Sequence, residues 1–523
     1  MRRHGAWAAS GAVLVTLLGI VVGASRPVLA QDSSGSLTIL RSTAPDNIDP
    51  AMTCTIFGGS LVNNLYDRLV EYKRSGQALG PDIEPMAAES WEISSDGREY
   101  RFKIRQGMTF SSGNPVRAED VAYSLERTRQ LGGCQGYNLE GGLTGNITAI
   151  EAPDSSTVIV KLKQPDPLIL TDLTNNIGIV DKAVLEAHGG LTKEGTAWLS
   201  TNAAGSGPFS LSAYDPENQI ILDARKDYWS GKAGADRLVF QIAKDPSTIE
   251  VLLNSGAADV AYDIPAQDID RIAQNPNLKA VSGPALTYAN IGLNVAKPPL
   301  NDLRVRQALT YATPFNDIID AFAGAYGHPL VGPIMIGQPF RKDLENPYPL
   351  DLAKAKQLID EAGASNSNLT LMIKSGQSVQ QEIATVLQAN WKQIGINLEI
   401  QTLGSSAFFD ALMGLKHDMY IIEDKSANPD PGYLLSFFVR CKDPYNWTGY
   451  CDPQVDEWLA SARSSLDQEQ RATAYSSIAD KVAHDAPYIQ LFQKDQVLIA
   501  KKDVDGFVFT PESEDRYFWL KRN

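Results

Sequence analysis

The sequence predicts an α/β protein with more than one lobe, and two observations support this. The first is a strand–helix–strand pattern, in which apolar and polar residues alternate near 369–373 and again near 396–400. Between these strands one helical face, ended by Gly395, is formed by Val379, Ile383, Val386, Leu387, Trp391 and Ile394. The second is the length of 523 residues, because single cores stop growing near about 250–300 residues.

The strand–helix–strand unit also indicates where a ligand binds. Short connections make it a right-handed βαβ unit, so its two strands are parallel. In open α/β sheets, ligands bind beyond the carboxyl ends of such strands, which here are the loops 374–378 and 401–406. Ser405 and Ser406 are therefore candidate ligand contacts, with capping of the next helix an equal alternative.

Residues 85–125 have the pattern of a β-hairpin followed by a helix. The turn-forming segment 95–97 separates two alternating strands, and a helix begins near Ala118 with acidic residues in its first turn. The apolar residues of the hairpin are Trp91, Ile93, Tyr100, Phe102 and Ile104. Further strands are predicted near 38–40, 158–162, 209–211, 220–222 and 237–242, and further helices near 59–70 and 246–255.

The first 30 residues have the chemistry of a secretory signal peptide. Arg2 and Arg3 precede an apolar run at 12–22, and small or apolar residues lead to Ala30. The run is shorter than the about 20 residues needed to span a bilayer. We therefore expect cleavage after Ala30 and a soluble, exported protein, with an uncleaved N-terminal anchor as the alternative.

Composition and motifs argue against several classes of function. A net charge of −15 repels nucleic acid and anionic lipid. The sequence has no Gly-x-Ser-x-Gly elbow, no phosphate-binding loop and no His-Glu-x-x-His motif. The histidines after residue 30 lack ligand spacing; they are His188, His328, His417 and His484. We expect no enzyme activity, no metal or other cofactor, and no nucleic-acid partner.

Four cysteines, an even count in an exported chain, predict two disulfides. Cys441 and Cys451 flank a short loop and are the preferred pair. Cys54 and Cys134 then pair by elimination, which the sequence alone leaves open. A metal site is the weaker alternative, because no Cys-x-x-Cys motif occurs and no histidine is near.

Several motifs along the chain resemble the motifs of one protein family, and they occur in the same order. They are Gly205–Phe209, Arg225–Trp229, Pro298–Leu309, Ala353–Gly363 and Asn428–Pro431. Together with the hairpin block, they resemble the bacterial extracellular solute-binding proteins of family five, the dipeptide, oligopeptide and nickel-type receptors of ABC importers. The resemblance covers nearly all of the chain after residue 30.

This resemblance implies an α/β, two-lobed periplasmic-binding-protein-like fold of type II, in the large form with three subdomains and a two-strand hinge. The hinge crossings fall near Ala285–Val295 and Tyr488–Val497. The implied segments are the signal peptide (1–30), lobe I (31–80), its inserted subdomain (81–204), lobe I again (205–288), lobe II (289–490) and the C-terminal part of lobe I (491–523).

The resemblance also implies a function. We expect a monomeric receptor, periplasmic or at the cell surface, that captures a small hydrophilic ligand by lobe closure. It would deliver the ligand to the permease subunits of an ABC importer, which work with a cytoplasmic ATPase. A peptide is the favoured ligand. The alternatives are an oligosaccharide or another solute, a sensor with the same fold, and a secreted hydrolase.

The candidate ligand-binding residues come from the resemblance, from the expected hinge strand, from a predicted strand end and from the loop between Cys441 and Cys451. They are Thr53, Thr55, Ile56, Phe57, Tyr288, Asn290, Ser405, Ser406, Ala427, Asn428, Asp430 and Trp447. Core packing is an alternative role for Tyr288, loop packing for Trp447, and bonding of turn amides for Asp430.

The chain departs from the family pattern at Ala427. In peptide-binding relatives, an aspartate three residues before the acidic residue of the Asp-Pro step pairs with the α-ammonium of the ligand, and counting back from Asp430 gives Ala427. A buried ammonium without a counter-charge costs several kcal/mol. Glu423 or Asp424 could substitute only if the loop runs differently. A blocked peptide, a sugar or another polar solute therefore gains weight as the ligand.

Overall fold

The computed structural model describes residues 35–73, 82–140 and 145–523, so the predicted signal peptide lies outside the described residues. The strands are β1 (Ser36–Arg41), β2 (Val70–Tyr72), β3 (Ile83–Pro85), β4 (Ala88–Ile93), β5 (Glu99–Ile104), β6 (Ile147–Asp154), β7 (Thr157–Leu162), β8 (Phe209–Asp215), β9 (Gln219–Ala224), β10 (Arg237–Ile242), β11 (Val260–Ala261), β12 (Leu278–Leu293), β13 (Gly327–His328), β14 (Ser367–Lys374), β15 (Ile396–Leu403), β16 (Met419–Lys425), β17 (Tyr488–Lys501), β18 (Val504–Asp505) and β19 (Lys521–Arg522).

The helices alternate with these strands along most of the chain. They are α1 (Ile56–Leu65), α2 (Ala118–Leu131), α3 (Gly133–Leu139), α4 (Ile169–Asp172), α5 (Lys182–Ala187), α6 (Lys193–Leu199), α7 (Pro246–Asn254), α8 (Ala266–Ile272), α9 (Leu303–Tyr311), α10 (Phe315–Phe322), α11 (Leu352–Glu361), α12 (Ser378–Gln393), α13 (Ser405–Met413), α14 (Pro431–Phe438), α15 (Pro453–Ser464) and α16 (Gln468–Asp485).

One large mixed sheet organises the described chain. Its strand order is β15-β14-β16-β12-β17-β11-β1-β10-β9-β8. The predicted βαβ unit is confirmed, because β14 and β15 pair in parallel from Ser367–Ile396 onward and α12 connects them. We refer to β14–β16 as the C-terminal half of the sheet, and to β1 with β8–β11 as the N-terminal half.

The long strands β12 and β17 connect the two halves. They pair antiparallel along most of their length. In β12, Leu278 packs into a core beside the N-terminal half, whereas Ile291 packs into the core around Trp391 in the C-terminal half. In β17, Leu498 packs into the core of the N-terminal half, whereas Ile489 packs into the core around Trp391. Each half thus has its own apolar core, and both predicted hinge crossings fall on these two strands. The segment boundaries given above stay predictions.

A smaller sheet confirms the hairpin. Its order is β4-β5-β7-β6, with α2 packed beside it. Gly97 has φ = 68° in the turn between β4 and β5, a conformation that favours glycine. The prediction that Ile93 faces inward is wrong, because this residue is 46% exposed. β4 is an edge strand, so Ile93 has a neighbouring strand on one side only.

The helix predicted near 59–70 is shifted, since α1 spans Ile56–Leu65. Tertiary contacts end it, because the carbonyl of Leu65 accepts a 3.0 Å hydrogen bond from the Gly207 amide. The carboxylate of Asp67 then accepts a 2.7 Å hydrogen bond from the hydroxyl of Tyr228. Such contacts override the local helical pattern.

Both predicted disulfides are confirmed. Cys54 is bonded to Cys134, which joins the start of α1 to α3, and Cys441 is bonded to Cys451 across a short loop. Within the described residues, no helix combines the length and apolarity that crossing a membrane requires. The same residues contain no group of three or more His, Cys, Asp or Glu side chains placed to hold a metal ion.

Candidate ligand-binding site

A cavity of about 210 Å³ lies where distant parts of the chain meet. Helix α3 and residues 175–176 form one side, and α14 with residues 445–447 forms the other. Tyr288 within β12, the end of β16 and the C-terminal segment complete it. Its lining residues are Cys54, Cys134, Gln135, Tyr137, Asn138, Asn175, Asn176, Tyr288, Asp424, Lys425, Ala427, Tyr433, Leu434, Phe437, Phe438, Tyr445, Trp447 and Glu514.

Aromatic side chains form most of the apolar wall. The ring of Tyr137 on α3 lies 4.8 Å from that of Phe437 on α14 and 5.2 Å from that of Tyr445, centroid to centroid. Tyr433 packs edge-on against Phe437 at 4.8 Å. Such rings give a ligand a large contact area at little cost in conformational entropy.

Hydrogen bonds connect the two sides of the cavity. The hydroxyl of Tyr433 donates to the side-chain oxygen of Asn138 at 2.6 Å, and the hydroxyl of Tyr137 donates to the carboxylate of Asp443 at 3.2 Å. Asp443 also forms an ion pair with Arg440. The aromatic wall is therefore held in place by polar contacts of α3 with α14 and with the segment that follows α14.

Two charged groups at the end of β16 differ in their partners. Lys425 forms an ion pair with Glu514 and donates a 2.8 Å hydrogen bond to the carbonyl of Glu512. Asp424 accepts a hydrogen bond from the backbone amide of Lys425 at 2.8 Å. The Asp424 side chain is exposed to the cavity, and the protein around it desolvates the carboxyl group, which raises the pKa of that group.

A second cavity, of about 250 Å³, has a different character. All of its lining residues fall within 310–348 and 482–491, and none is charged. They include Phe315, Leu330, Tyr348, Ala483 and Tyr488. A ligand there would contact one side of the molecule only. The cavity between α3 and α14 is therefore the better candidate for a site that responds to ligand.

The family of the chain follows from comparison with known proteins. Residues 82–446 match the model of the bacterial extracellular solute-binding proteins, family 5. The chain belongs to this family. This match confirms the resemblance inferred from the sequence motifs. The family is a class of solute-binding receptors and not a class of enzymes.

Individual relatives of this family 5 protein match over almost the whole chain. The probable D,D-dipeptide-binding periplasmic protein DdpA of Escherichia coli is 29% identical, covering 95% of this chain and 96% of that protein. The dipeptide-binding protein of the same species is also 29% identical, covering 92% and 94%. Among solved structures, the periplasmic binding protein DppA of Helicobacter pylori, in complex with the peptide STSA, has a TM-score of 0.83 at 25% identity, covering 93% and 98%. The neighbours confirm the two-lobed periplasmic-binding-protein fold.

Three of the predicted ligand contacts of the family 5 protein line the cavity. They are Tyr288, Ala427 and Trp447, and the disulfide of Cys54 and Cys134 lines it beside them. Tyr288 is also largely buried and packs edge-on against Phe438 at 5.6 Å, so it has the packing role as well.

The predicted segment 53–57 borders the cavity through Cys54. The carbonyl of Thr53 accepts a 2.7 Å hydrogen bond from the amide of Gln135, a lining residue. Thr55 caps α1 by accepting from the amide of Gly58, and Phe57 is buried under the guanidinium of Arg41. Ile56 begins α1 and, like the other three, does not line the cavity.

The other predicted contacts of the family 5 protein lie outside the lining. Asn290 is fully buried in β12. Ser405 and Ser406 form the first turn of α13, where Gly404 is the cap, so neither has the capping role. Asp430 caps α14 through the amide of Gly432 and accepts from the hydroxyl of Tyr475, which matches its alternative role in a turn.

Asn428 joins separate parts of the molecule near the cavity. Its amide donates to the hydroxyl of Thr171 at 2.9 Å and to the carboxylate of Asp172 at 2.7 Å. Close by, Arg463 forms a 3.3 Å ion pair with Asp166. Burial raises the pKa of both Asp172 and Asp166. The contacts with Asn428 and Arg463 oppose this effect, because they stabilise the charged carboxylates.

The sequence interpretation missed much of the aromatic wall. Tyr433 and Phe437 have the i, i+4 spacing of one helical face, which was a usable signal. Tyr137 and Asn138 had none, because α3 has only seven residues and reaches the cavity through tertiary packing. Asp424 was named only as a substitute, on the condition that the loop takes another path.

Proposed function

We propose that this protein is an extracytoplasmic receptor that captures a short peptide and delivers it to an ABC importer. The observation that carries the proposal is the composition of the cavity, whose walls come from α3 on one side and α14 on the other. A ligand there contacts both sides at once and stabilises the arrangement that encloses it. Relatives named for dipeptides, and a structural neighbour with a bound peptide, support a peptide as the ligand.

The size of the cavity favours a small peptide. The cavity has a volume of about 210 Å³. This lies below the about 300–1,000 Å³ typical of sites for drug-sized ligands. We infer a ligand of dipeptide size, with an apolar side chain against Tyr137, Phe437 and Tyr445.

The proposed mechanism is lobe closure without covalent chemistry. The lining includes no serine, threonine or histidine, and both of its cysteines form a disulfide. Shifting a two-state equilibrium from mostly open to mostly closed requires about 5 kcal/mol of differential affinity. A few hydrogen bonds and aromatic contacts made only in the closed form can supply this.

The proposed partners and location follow from the same role. A signal peptide ending at Ala30 directs the protein out of the cytoplasm, to the periplasm or the cell surface. There, as a monomer, it presents its ligand to the permease subunits, and a cytoplasmic ATPase drives transport.

Thermal-shift screening of the protein from residue 31 onward tests this proposal. Libraries of peptides, sugars and metal chelates are compared at equal concentrations. A ligand that binds only the folded state at 100 times its Kd stabilises the protein by about 2.7 kcal/mol, so binding is readily detected. We expect dipeptides to give the largest shifts. If peptides fail at millimolar concentration and a sugar stabilises the protein, the ligand assignment is wrong.

A further inference from the structure

The second cavity, of about 250 Å³, lies along an open edge of β17. Tyr488, Gln490 and Leu491 line it, and from Tyr488 to Phe492 this strand pairs with β12 alone among the described strands. Residues 329–333 also line the cavity and belong to no helix or strand. Within the described chain, no backbone hydrogen bond joins them to this part of β17. The cavity therefore borders a strand edge whose outward polar groups lack a strand partner.

The rest of the lining suits an uncharged ligand. Most of it is apolar, and no lining residue carries a charge. Its hydroxyl groups, on Thr310, Tyr348 and Tyr488, each donate a hydrogen bond to a backbone carbonyl already. A charged ligand would lose its hydration in this cavity without gaining a counter-charge, which is costly. An apolar body, by contrast, gains from leaving water here.

The side-chain amide of Gln490 is a polar group of this lining that lacks a partner. Its Oε1 is shielded from solvent and accepts no hydrogen bond from any described residue. A buried acceptor without a donor costs free energy, which a new hydrogen bond recovers. Rotation about the last bond of a glutamine side chain is soft, so this oxygen can turn to a donor in the cavity. An N–H group of a ligand would supply that donor.

We propose that the cavity beside β17 is a second ligand site, which binds a small uncharged compound with an apolar ring and an amide group. The ring packs against Phe315, Leu330 and Val482, and the amide meets Gln490 at the open edge of the strand. This inference goes beyond the proposed function. The two cavities share no lining residue, so each is filled independently of the other.

Equilibrium dialysis with three probes tests the second site. The probes are benzamide, acetophenone, which keeps the ring and the carbonyl but has no N–H donor, and benzoate, which is charged. The wild type is compared with Ala483→Phe, which fills this cavity, and with Gln490→Leu, which removes the amide at similar volume. The control is Ala427→Phe, which fills the other cavity.

The expected pattern follows from the lining. The wild type should bind benzamide with a Kd of about 1 mM, about tenfold more tightly than acetophenone and at least about tenfold more tightly than benzoate. The advantage over acetophenone should disappear in Gln490→Leu, because the acceptor is gone. Ala483→Phe should bind none of the probes measurably, and Ala427→Phe should match the wild type.

Several results would overturn the second site. Benzamide binding that is lost in Ala427→Phe but kept in Ala483→Phe would place the probe in the other cavity. Equal binding of benzoate and benzamide, or an advantage of benzamide that persists in Gln490→Leu, would contradict the proposed chemistry. So would a wild type that binds no benzamide at about 10 mM, well above the expected Kd. If circular dichroism shows that Ala483→Phe is unfolded, the comparison of Gln490→Leu with the wild type decides.

Discussion

The side-chain amide of Asn428 donates a 2.7 Å hydrogen bond to the carboxylate of Asp172, across 256 positions of sequence. The ion pair of Arg463 with Asp166 lies in the same buried region. Both contacts join the segment after β7 to the part of the chain that follows β16. They therefore stabilise the arrangement in which α3 and α14 enclose the cavity.

Replacing Asn428 with alanine should destabilise the protein. The change leaves the buried carboxyl group of Asp172 without its amide donor, and a buried polar group without its partner costs about 1–3 kcal/mol. Urea denaturation measures the change. The matched control is Asn397→Ala, which removes an exposed amide hydrogen bond to Asn368 and should cost less than about 0.5 kcal/mol. Equal losses in the two variants would contradict a structural role for the Asn428 contact.

The two disulfides should contribute unequally to stability. Cys54 and Cys134 are 80 residues apart in sequence, whereas Cys441 and Cys451 are 10 apart. In the chain-entropy model, closing these loops is worth about 4.5 and about 2.7 kcal/mol. Double serine variants of each pair, compared by urea denaturation under oxidising conditions, should lose stability in that order. The reverse order would show that strain or residual structure outweighs loop entropy here.

The stability of the wild type relative to Glu512→Gln should fall as the pH rises. Burial raises the pKa of the Glu512 carboxyl group from 4.5 to about 7, so the folded state holds a proton that the unfolded state releases. Stability then decreases with pH wherever the folded state binds more protons, which is between about pH 4.5 and pH 7. Glutamine has no such proton. The wild type should lose up to about 3 kcal/mol relative to the variant across this window.

Urea midpoints of both proteins at half-unit steps of pH measure this difference. Below about pH 4.5 the two curves should run parallel, because the glutamate is protonated in both the folded and the unfolded state. A difference that stays constant from pH 4.5 to pH 7 would show that Glu512 ionises normally in the folded protein.

Local patterns predicted the regular elements well, because their causes are local. The strands β14 and β15 alternate strictly, and the face of α12 repeats at helical spacing, so this unit was predicted nearly to its ends. The end of α1 was not, because the contacts of Leu65 with Gly207 come from residues far along the chain. The exposure of Ile93 depends on the edge position of β4, which no local pattern contains.

Some residues of the candidate site were likewise predictable from the sequence, and others were not. Ala427 was found because the family resemblance gave its position relative to a sequence motif, and Trp447 because it lies in the short loop between Cys441 and Cys451. Tyr137 reaches the cavity because the disulfide and the contacts of Gln135 hold α3 beside the start of α1. The sequence alone could not show whether Glu423 or Asp424 lines the cavity. The register of β16 and the lining of the cavity show that it is Asp424.

Binding of a dipeptide to two cavity-filling variants tests the central claim most directly. Ala427 lines the cavity between α3 and α14, and Ala483 lines the second cavity; both are half-buried alanines. Calorimetry compares the wild type with Ala427→Phe and Ala483→Phe, after circular dichroism has shown that both variants are folded. We predict saturable one-to-one binding for the wild type and for Ala483→Phe, and no measurable binding for Ala427→Phe. Undiminished binding by Ala427→Phe, with loss in Ala483→Phe, would contradict the account and move the site to the second cavity.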